Sequence, residues 1–248
     1  MADRPLRGIV HVHSHYSYDG KNSLQEIGQA ARGIGLDFVC MTEHSDTFDP
    51  NKMSNFVKEC EALSSPEFLM IPGIEFTCHD TLHLLGIGIR SYISSSDPVE
   101  VNGFIQQNGG LSVVAHPMRR KYQMPPALLS VVNGLEIWNV VYDGRYFPNV
   151  MALDLYLKAK ISNPGLVAFL GRDLHRLRNF HQSSIRLENS ELDERKILNA
   201  LRMGRFKNVS SWYRISATPD VGPLTRLHLR LQQKVYRGAK SIRDFLTR

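Results

Sequence analysis

Three cysteines in 248 residues, Cys40, Cys60 and Cys78, are odd in number and show no C-x-x-C spacing. A disulfide framework and a thiolate zinc site are both excluded as expectations. No apolar run approaches the roughly eighteen residues of a membrane span, and the opening Met-Ala-Asp-Arg-Pro-Leu-Arg lacks the apolar region of a signal peptide. A cytoplasmic chain without a transmembrane segment is therefore expected. There is no internal repeat and no low-complexity linker, so one domain with one core is the simplest reading. An excess of either charge is missing from most of the chain as well. Residues 1–222 carry 23 basic and 23 acidic side chains, and the formal net charge of +6 sits in Pro223–Arg248, with seven Lys or Arg against Asp244.

What is present is a rhythm of short β-branched runs and amphipathic stretches of helical period, the pattern of β/α units on a mostly parallel sheet. A single α/β barrel fits this length. Strands are predicted at Gly8–His13, Phe38–Thr42, Leu69–Glu75 (interrupted by Pro72-Gly73), Leu82–Gly88, Leu111–Ala115, Leu135–Trp138, Leu166–Leu170 and Phe206–Val209. Between them, Ser23-Leu24-Gln25-Glu26 reads as a capping box opening a helix that stops near Gly33 and Gly35. Further helices are predicted over about Lys52–Leu63, from the cap Asp97 with Pro98 to Gly109-Gly110, over Val150–Lys160, and from the cap Ser190 to Met203.

The strand ends collect a few side-chain types. In an extended Gly8–His13, His11 and His13 point the same way, a two-imidazole chelate suited to Zn, Mn or Fe, and Asp19 lies close enough to add a carboxylate oxygen. Alone, such a pair is a common accident. Six of the ten histidines nevertheless fall at strand-associated positions (His11, His13, His44, His83, His116, His175), together with Asp19, Glu43, Glu75 and Asp173. Taken singly, His83 reads as a core histidine bonded to backbone, and Glu75 as a buried acid paired with an arginine. Gathered at one barrel mouth, so many imidazoles and carboxylates would repel and desolvate one another unless divalent cations balanced them.

His11-x-His13 with Ser14 and Asp19-Gly20, Thr42-Glu43-His44, Pro72-Gly73-x-Glu75, His83-Leu84-Leu85-Gly86, Ala115-His116-Pro117 and Gly171-x-Asp173-x-His175 resemble, in order, the motifs of the PHP (polymerase and histidinol phosphatase) family. The resemblance implies a distorted (β/α)7 TIM-like barrel and two or three divalent ions (Zn, Mn or Fe). It implies hydrolysis of phosphate esters by a metal-bound hydroxide at a trinuclear site. His11, His13, Glu75 and Asp173 would bind one ion, with Glu75 bridging to a second held by His83 and His116. Asp19, His44 and His175 would bind the third, and Glu75, Asp173 and His175 form the expected catalytic set.

This chain has Glu43 where the family usually has aspartate, and Arg172 where it has a small residue. A guanidinium at 172 suggests a fork aimed at a phosphate oxygen, with an outside salt bridge as the alternative. Arg119-Arg120-Lys121, directly after His116-Pro117, is the best-placed basic cluster for a distal phosphate or a nucleic-acid backbone. A small phosphorylated metabolite or nucleotide is the expected substrate. The alternatives are a nuclease acting on phosphodiesters, an amidase-like hydrolase, and a non-catalytic, metal-stabilised binding module. The expected division is a barrel over residues 1–222 and a basic amphipathic helix over 223–248. Leu224, Leu227, Leu231, Val235, Ala239, Ile242 and Leu246 form its stripe, with Arg226, Arg230, Lys234 and Arg237 away from it. That stripe is expected to pack on the barrel. Contact with nucleic acid, an anionic membrane or an acidic partner is the alternative.

Overall fold

The computed structural model describes residues 4–188 and 191–246, with side chains to residue 236. Its strands are β1 (Leu6–Val12), β2 (Phe38–Met41), β3 (Glu43–His44), β4 (Leu69–Ile71), β5 (Gly73–Thr77), β6 (His83–Ile87), β7 (Leu111–Val114), β8 (Gly134–Asn139), β9 (Val167–Leu174), β10 (Ser184–Leu187), β11 (Phe206–Val209) and β12 (Arg214–Ser216). The helices are α1 (Leu24–Gly33), α2 (Pro50–Leu63), α3 (Pro98–Gln107), α4 (Pro126–Leu129), α5 (Val140–Asp143), α6 (Val150–Ser162), α7 (Glu194–Arg202) and α8 (Pro223–Leu246).

Local chemistry sets the boundaries. Ser23 accepts from Glu26 N and the Glu26 carboxylate reaches back, a complete capping box at α1. Asp97 accepts from Val99 N and Glu100 N, while Pro98 takes the first helical position of α3. Helix α7 is capped by Asp193. The expected cap Ser190 lies outside the described residues.

All twelve strands join one mixed sheet, in the order β12-β11-β10-β1-β9-β8-β7-β6-β5-β3, with β2 and β4 branching from β1. Pairs β1–β2, β1–β9, β2–β4, β3–β5, β7–β8 and β8–β9 are parallel; β5–β6, β6–β7 and the β10–β12 meander are antiparallel. The mixed α/β class is as expected, and the twelve strands form one sheet in which antiparallel pairs interrupt the parallel order. β5 turns straight back into β6, and the β2–β4 and β3–β5 pairs are separated at Thr42 and Pro72. Neighbours along β2 go to opposite faces. Val39 and Met41 join a core with Leu24, Ile27, Phe56, Ile105 and Leu153 from the helices, while Phe38 and Cys40 join Leu85, Val113, Phe169 and Ile197. Apolar layers on both faces leave the strand ends as the place where polar side chains can gather.

Helix α8 departs from expectation. Leu229 is its fully buried anchor, Arg226 and Arg230 pair with Asp154 of α6, and Gln233 donates to Pro148 O. The stripe predicted to pack inward, Leu224, Leu227, Leu231 and Val235, is exposed. Ion pairing by the two arginines and burial of Leu229 turn the helix about half a revolution from the orientation its apolar periodicity suggested. Among the described residues no helix is long and apolar enough to cross a membrane.

Candidate metal centre

The sequence motifs converge because their strands end together. His11 lies in β1 and His13 just beyond it; His44 ends β3, Glu75 lies in β5, and Asp173 in β9 precedes His175. β6 is antiparallel to β5, so its first residue, His83, arrives at the same end. His116 follows β7. Asp19 folds in from the loop after β1 to reach His175 at 3.1 Å and His44 at 3.4 Å. Every one of the nine predicted ligand residues is brought to this cluster.

Simple strand alternation is not what aims them. The register of β1 shifts between Val10 and Val12 against both neighbours, and that of β8 shifts between Glu136 and Trp138 against β9. These irregularities place His11 at φ 66° and Asp173 at φ 50°, and His116 sits at φ 25°. Positive φ is uncommon outside glycine and gathers where a structure holds side chains in place for function. Three of the nine therefore occupy backbone conformations that carry a strain cost. The signal for this is tertiary and has no counterpart in the His-x-His spacing.

Glu75 is the hub. Its Oε2 lies 3.4, 3.3 and 3.2 Å from His11 Nε2, His13 Nε2 and His44 Nδ1. Its Oε1 accepts from His83 Nδ1 at 2.7 Å and from His116 Nε2 at 2.9 Å. Asp173 Oδ1 is 3.5 Å from His11 Nε2 and 3.6 Å from His13 Nε2. Burial opposes the charge on Glu75, but the positive field of His11 and the hydrogen bonds from His116 and His83 hold its carboxyl well below the usual range. Burial drives His13 well below its ordinary value and lowers His44, which leaves their lone pairs free. Burial works the same way on His11, but there Asp173, Glu136 and Glu75 outweigh it and raise its pKa well above the ordinary value.

These residues fit a metal ion on the atoms they leave unpaired. His11 Nε2, His13 Nε2, His44 Nδ1, Glu75 Oε2 and Asp19 Oδ1 are all buried without a hydrogen-bond partner. Orphaned buried polar atoms are costly, and here they converge. Four sets fall within ligating distance of one another: His11/His13/Asp173, His11/Glu75/His116, His44/Glu75/His83 and His13/His44/His175. On the far side of the ring, His11 Nδ1 contacts Glu136 Oε1 at 2.7 Å, and His13 Nδ1 lies 3.3 Å from Ser17 Oγ. A carboxylate only accepts, so Nδ1 of His11 carries the proton and a neutral His11 turns a lone pair toward the cluster. His83 fits less freely. Arg119 Nη1 donates to its Nε2 at 3.2 Å, and its Nδ1 is spent on Glu75.

Three arginines were predicted at the phosphate, and the structure separates them. Only Arg119 reaches the cluster, exposed and with no carboxylate partner among the described residues. Arg120 instead donates to Gln123 O and to the carbonyls of His79 and Asp80, tying two loops together. Arg172 is corrected outright. The residue is 2% exposed, its guanidinium donates to Asn179 O, His181 O and Ser183 Oγ, and burial pushes its pKa down to about 10. It braces the 179–183 loop. Glu43 accepts from Ser14 N, Ser14 Oγ and Ser17 Oγ, while burial pushes its carboxyl up to about 7. It organises the turn after β1 and is not aimed into the cluster.

Sequence reasoning missed Glu136, Asn139, Tyr18 and Tyr142. Glu136 binds His11, His116 N and Asn139 Nδ2. A charged residue inside the apolar run Leu135–Trp138 was the available signal. Tyr18 stacks on His44 with centroids 4.9 Å apart, and Tyr142 lies 5.2 Å from the His116 ring. Gly171 makes room for Glu136: a Cβ there would stand 1.6 Å from Glu136 Oε1.

Residues 10–108 match the PHP domain family model. A two-domain protein of Bacteroides vulgatus containing a predicted PHP-like metal-dependent phosphoesterase superposes with TM-score 0.61 at 18% identity, over 84% of this chain and 65% of that one. PsfC of Pseudomonas syringae gives 0.54 at 14% identity, over 96% of this chain and 99% of that one. The lesion-specific endonuclease PfuEndoQ of Pyrococcus furiosus gives 0.54 at 17% identity, over 88% of this chain and 60% of that one. The chain thus spans less than two thirds of the length of the first and third of these proteins. No curated protein matches the sequence. Residues 10–108 of the chain thus match the PHP domain, and the ligand-type residues gather at one end of a fold shared with these solved structures.

Proposed function

We propose that this chain is a metal-dependent phosphoesterase that hydrolyses a small phosphorylated metabolite or nucleotide, with two or three divalent ions (Zn, Mn or Fe) held by the nine-residue cluster. The observation that carries the reading is the set of five buried, unpaired ligand atoms on His11, His13, His44, Glu75 and Asp19. His11, His13, Glu75 and Asp173 would hold one ion, Glu75, His83 and His116 a second, and Asp19, His44 and His175 a third. We take the sheet as a distorted (β/α)7 barrel interrupted at Thr42 and Pro72, with this cluster at its mouth.

When bound, such ions neutralise charge on phosphoryl oxygens and acidify water. The side chains do the rest. Glu75 spans the cluster with its two oxygens, and Glu136 locks the His11 ring. Asp173 is buried within the cluster, and His175, whose side chain is 24% exposed beside Asp19, stands where the cluster meets solvent. Arg119 is the cation placed to meet a non-bridging oxygen or a distal phosphate, and Tyr18 and Tyr142 wall the approach. No serine or cysteine nucleophile is required. A nuclease reading is favoured by one observation, the exposed Arg119 beside the cluster.

The test is metal content by elemental analysis on protein purified without chelator, with turnover of a phosphomonoester and a phosphodiester by wild type and Glu75→Ala. Two or three ions per chain, with activity lost in the variant, support the reading, and the preferred ester separates phosphatase from nuclease. A folded, metal-free, inactive wild type would leave only a binding module.

A further inference from the structure

Helix α8 has two faces that differ in what they touch. Leu229, Arg226 and Gln233 face the body, through burial, the Asp154 pair and Pro148 O. On the opposite side, Leu224, Leu227, Leu231 and Val235 are 82%, 54%, 54% and 73% exposed. At the helical period these four fall in an arc about 80° wide. An amphipathic helix ordinarily turns such a stripe to the core, and a contiguous exposed apolar face marks an interaction surface. The stripe continues in the sequence at Ile242 and Leu246.

The charge identifies the occupant. Pro223–Arg248 carries the whole formal net charge of +6, and Lys234 is exposed on the flank of the stripe. Arg226 and Arg230 are turned to Asp154, which leaves Lys234 as the described basic side chain of α8 beside the stripe. We propose that α8 docks the protein on an anionic lipid surface, the leucines entering the headgroup boundary and Lys234 meeting acidic headgroups. The docked face holds the helix flat against the body with the stripe outward. It therefore presents a ridge, which suits a plane. A second copy would bring two segments of net charge +6 together and is disfavoured by repulsion. This inference is independent of the reaction proposed above, since none of its residues contributes to the metal cluster.

The experiment is co-sedimentation of the full chain with phosphatidylcholine vesicles with and without phosphatidylserine. Wild type is expected to bind only the anionic vesicles, less as salt rises. Leu227→Glu/Leu231→Glu is expected to bind roughly tenfold or more weakly. Both substitutions replace exposed side chains, and circular dichroism checks that the fold is kept. Lys234→Glu, which leaves the apolar stripe intact, should weaken binding in the same direction. Wild type that ignores anionic vesicles, or a double variant that binds like wild type, overturns the proposal. So does a dimer dispersed by Leu227→Glu without vesicle binding, which would assign the stripe to a second copy; retention only by an acidic protein would assign it to a protein partner.

Discussion

Glu136 Oε1 and His11 Nδ1 meet at 2.7 Å, with both side chains sealed from solvent. The same carboxylate accepts from His116 N through Oε2, so one acid fixes a ring and the backbone of a second candidate ligand. Outer partners of this kind set tautomer and orientation. Glu136→Gln should therefore weaken metal affinity by roughly 10–100-fold while the fold is retained. Metal titration followed by calorimetry, with circular dichroism as the control, checks this. Unchanged affinity would show that His11 is positioned by its backbone alone.

Gly171 is coupled to the same acid. A methyl group at this position cannot coexist with Glu136 as placed, so Gly171→Ala must move the carboxylate or the strand. The expected cost is about 1–3 kcal/mol of stability together with loss of metal affinity. Because both changes act through one contact, Gly171→Ala and Glu136→Ala should be strongly non-additive in a double-mutant cycle. Additive losses would place the glycine effect elsewhere.

Arg172 and Arg119 should part company under mutation. Arg172→Met removes the donor to two carbonyls and a hydroxyl that are left without it, and should lower stability by about 2–4 kcal/mol. Arg119→Ala, at an exposed site, should leave denaturant midpoints nearly unchanged and raise KM for a phosphate ester. Denaturation curves and steady-state kinetics on the two variants distinguish a brace from a substrate contact. A stable Arg172→Met chain with raised KM would reverse the assignment.

That contrast shows what the sequence could say. Residue type and order along the chain, read with the motif resemblance, named nine residues that meet, because strand ends in an α/β sheet share one side; Glu43, gathered with them by type and position, turns instead to Ser14 and Ser17. The capping box at Ser23-Glu26 and the Asp97-Pro98 start were readable for the same reason: their partners lie within three residues. Arg172 was misread because its neighbour Asp173 enters the cluster, and nothing local reports that the guanidinium turns to a loop seven to eleven residues on. Glu136 was hidden because its partners are 125 and 20 residues away. For α8, periodicity located the stripe correctly and assigned it the wrong side, since the Asp154 pairing that decides orientation is a tertiary contact.

Removal of metal is the last test, and stability reads it independently of any substrate. The cluster buries Glu75, Asp173 and Glu136 beside five imidazoles that are largely withdrawn from water, with ligand atoms left unpaired. A cation bound only by the folded state stabilises it by mass action, by about 2.7 kcal/mol when free metal is a hundredfold above Kd. Wild type should therefore lose several degrees of Tm on chelation and regain them when Mn or Zn is restored. Glu75→Ala removes the one carboxylate that touches every imidazole group of the cluster except His175. Its Tm should be nearly indifferent to chelator, whatever its starting value. Scanning calorimetry of both proteins with and without metal makes the comparison. Equal responses in the two would mean that the bound cation does not use Glu75, and the bridging role would have to be given up.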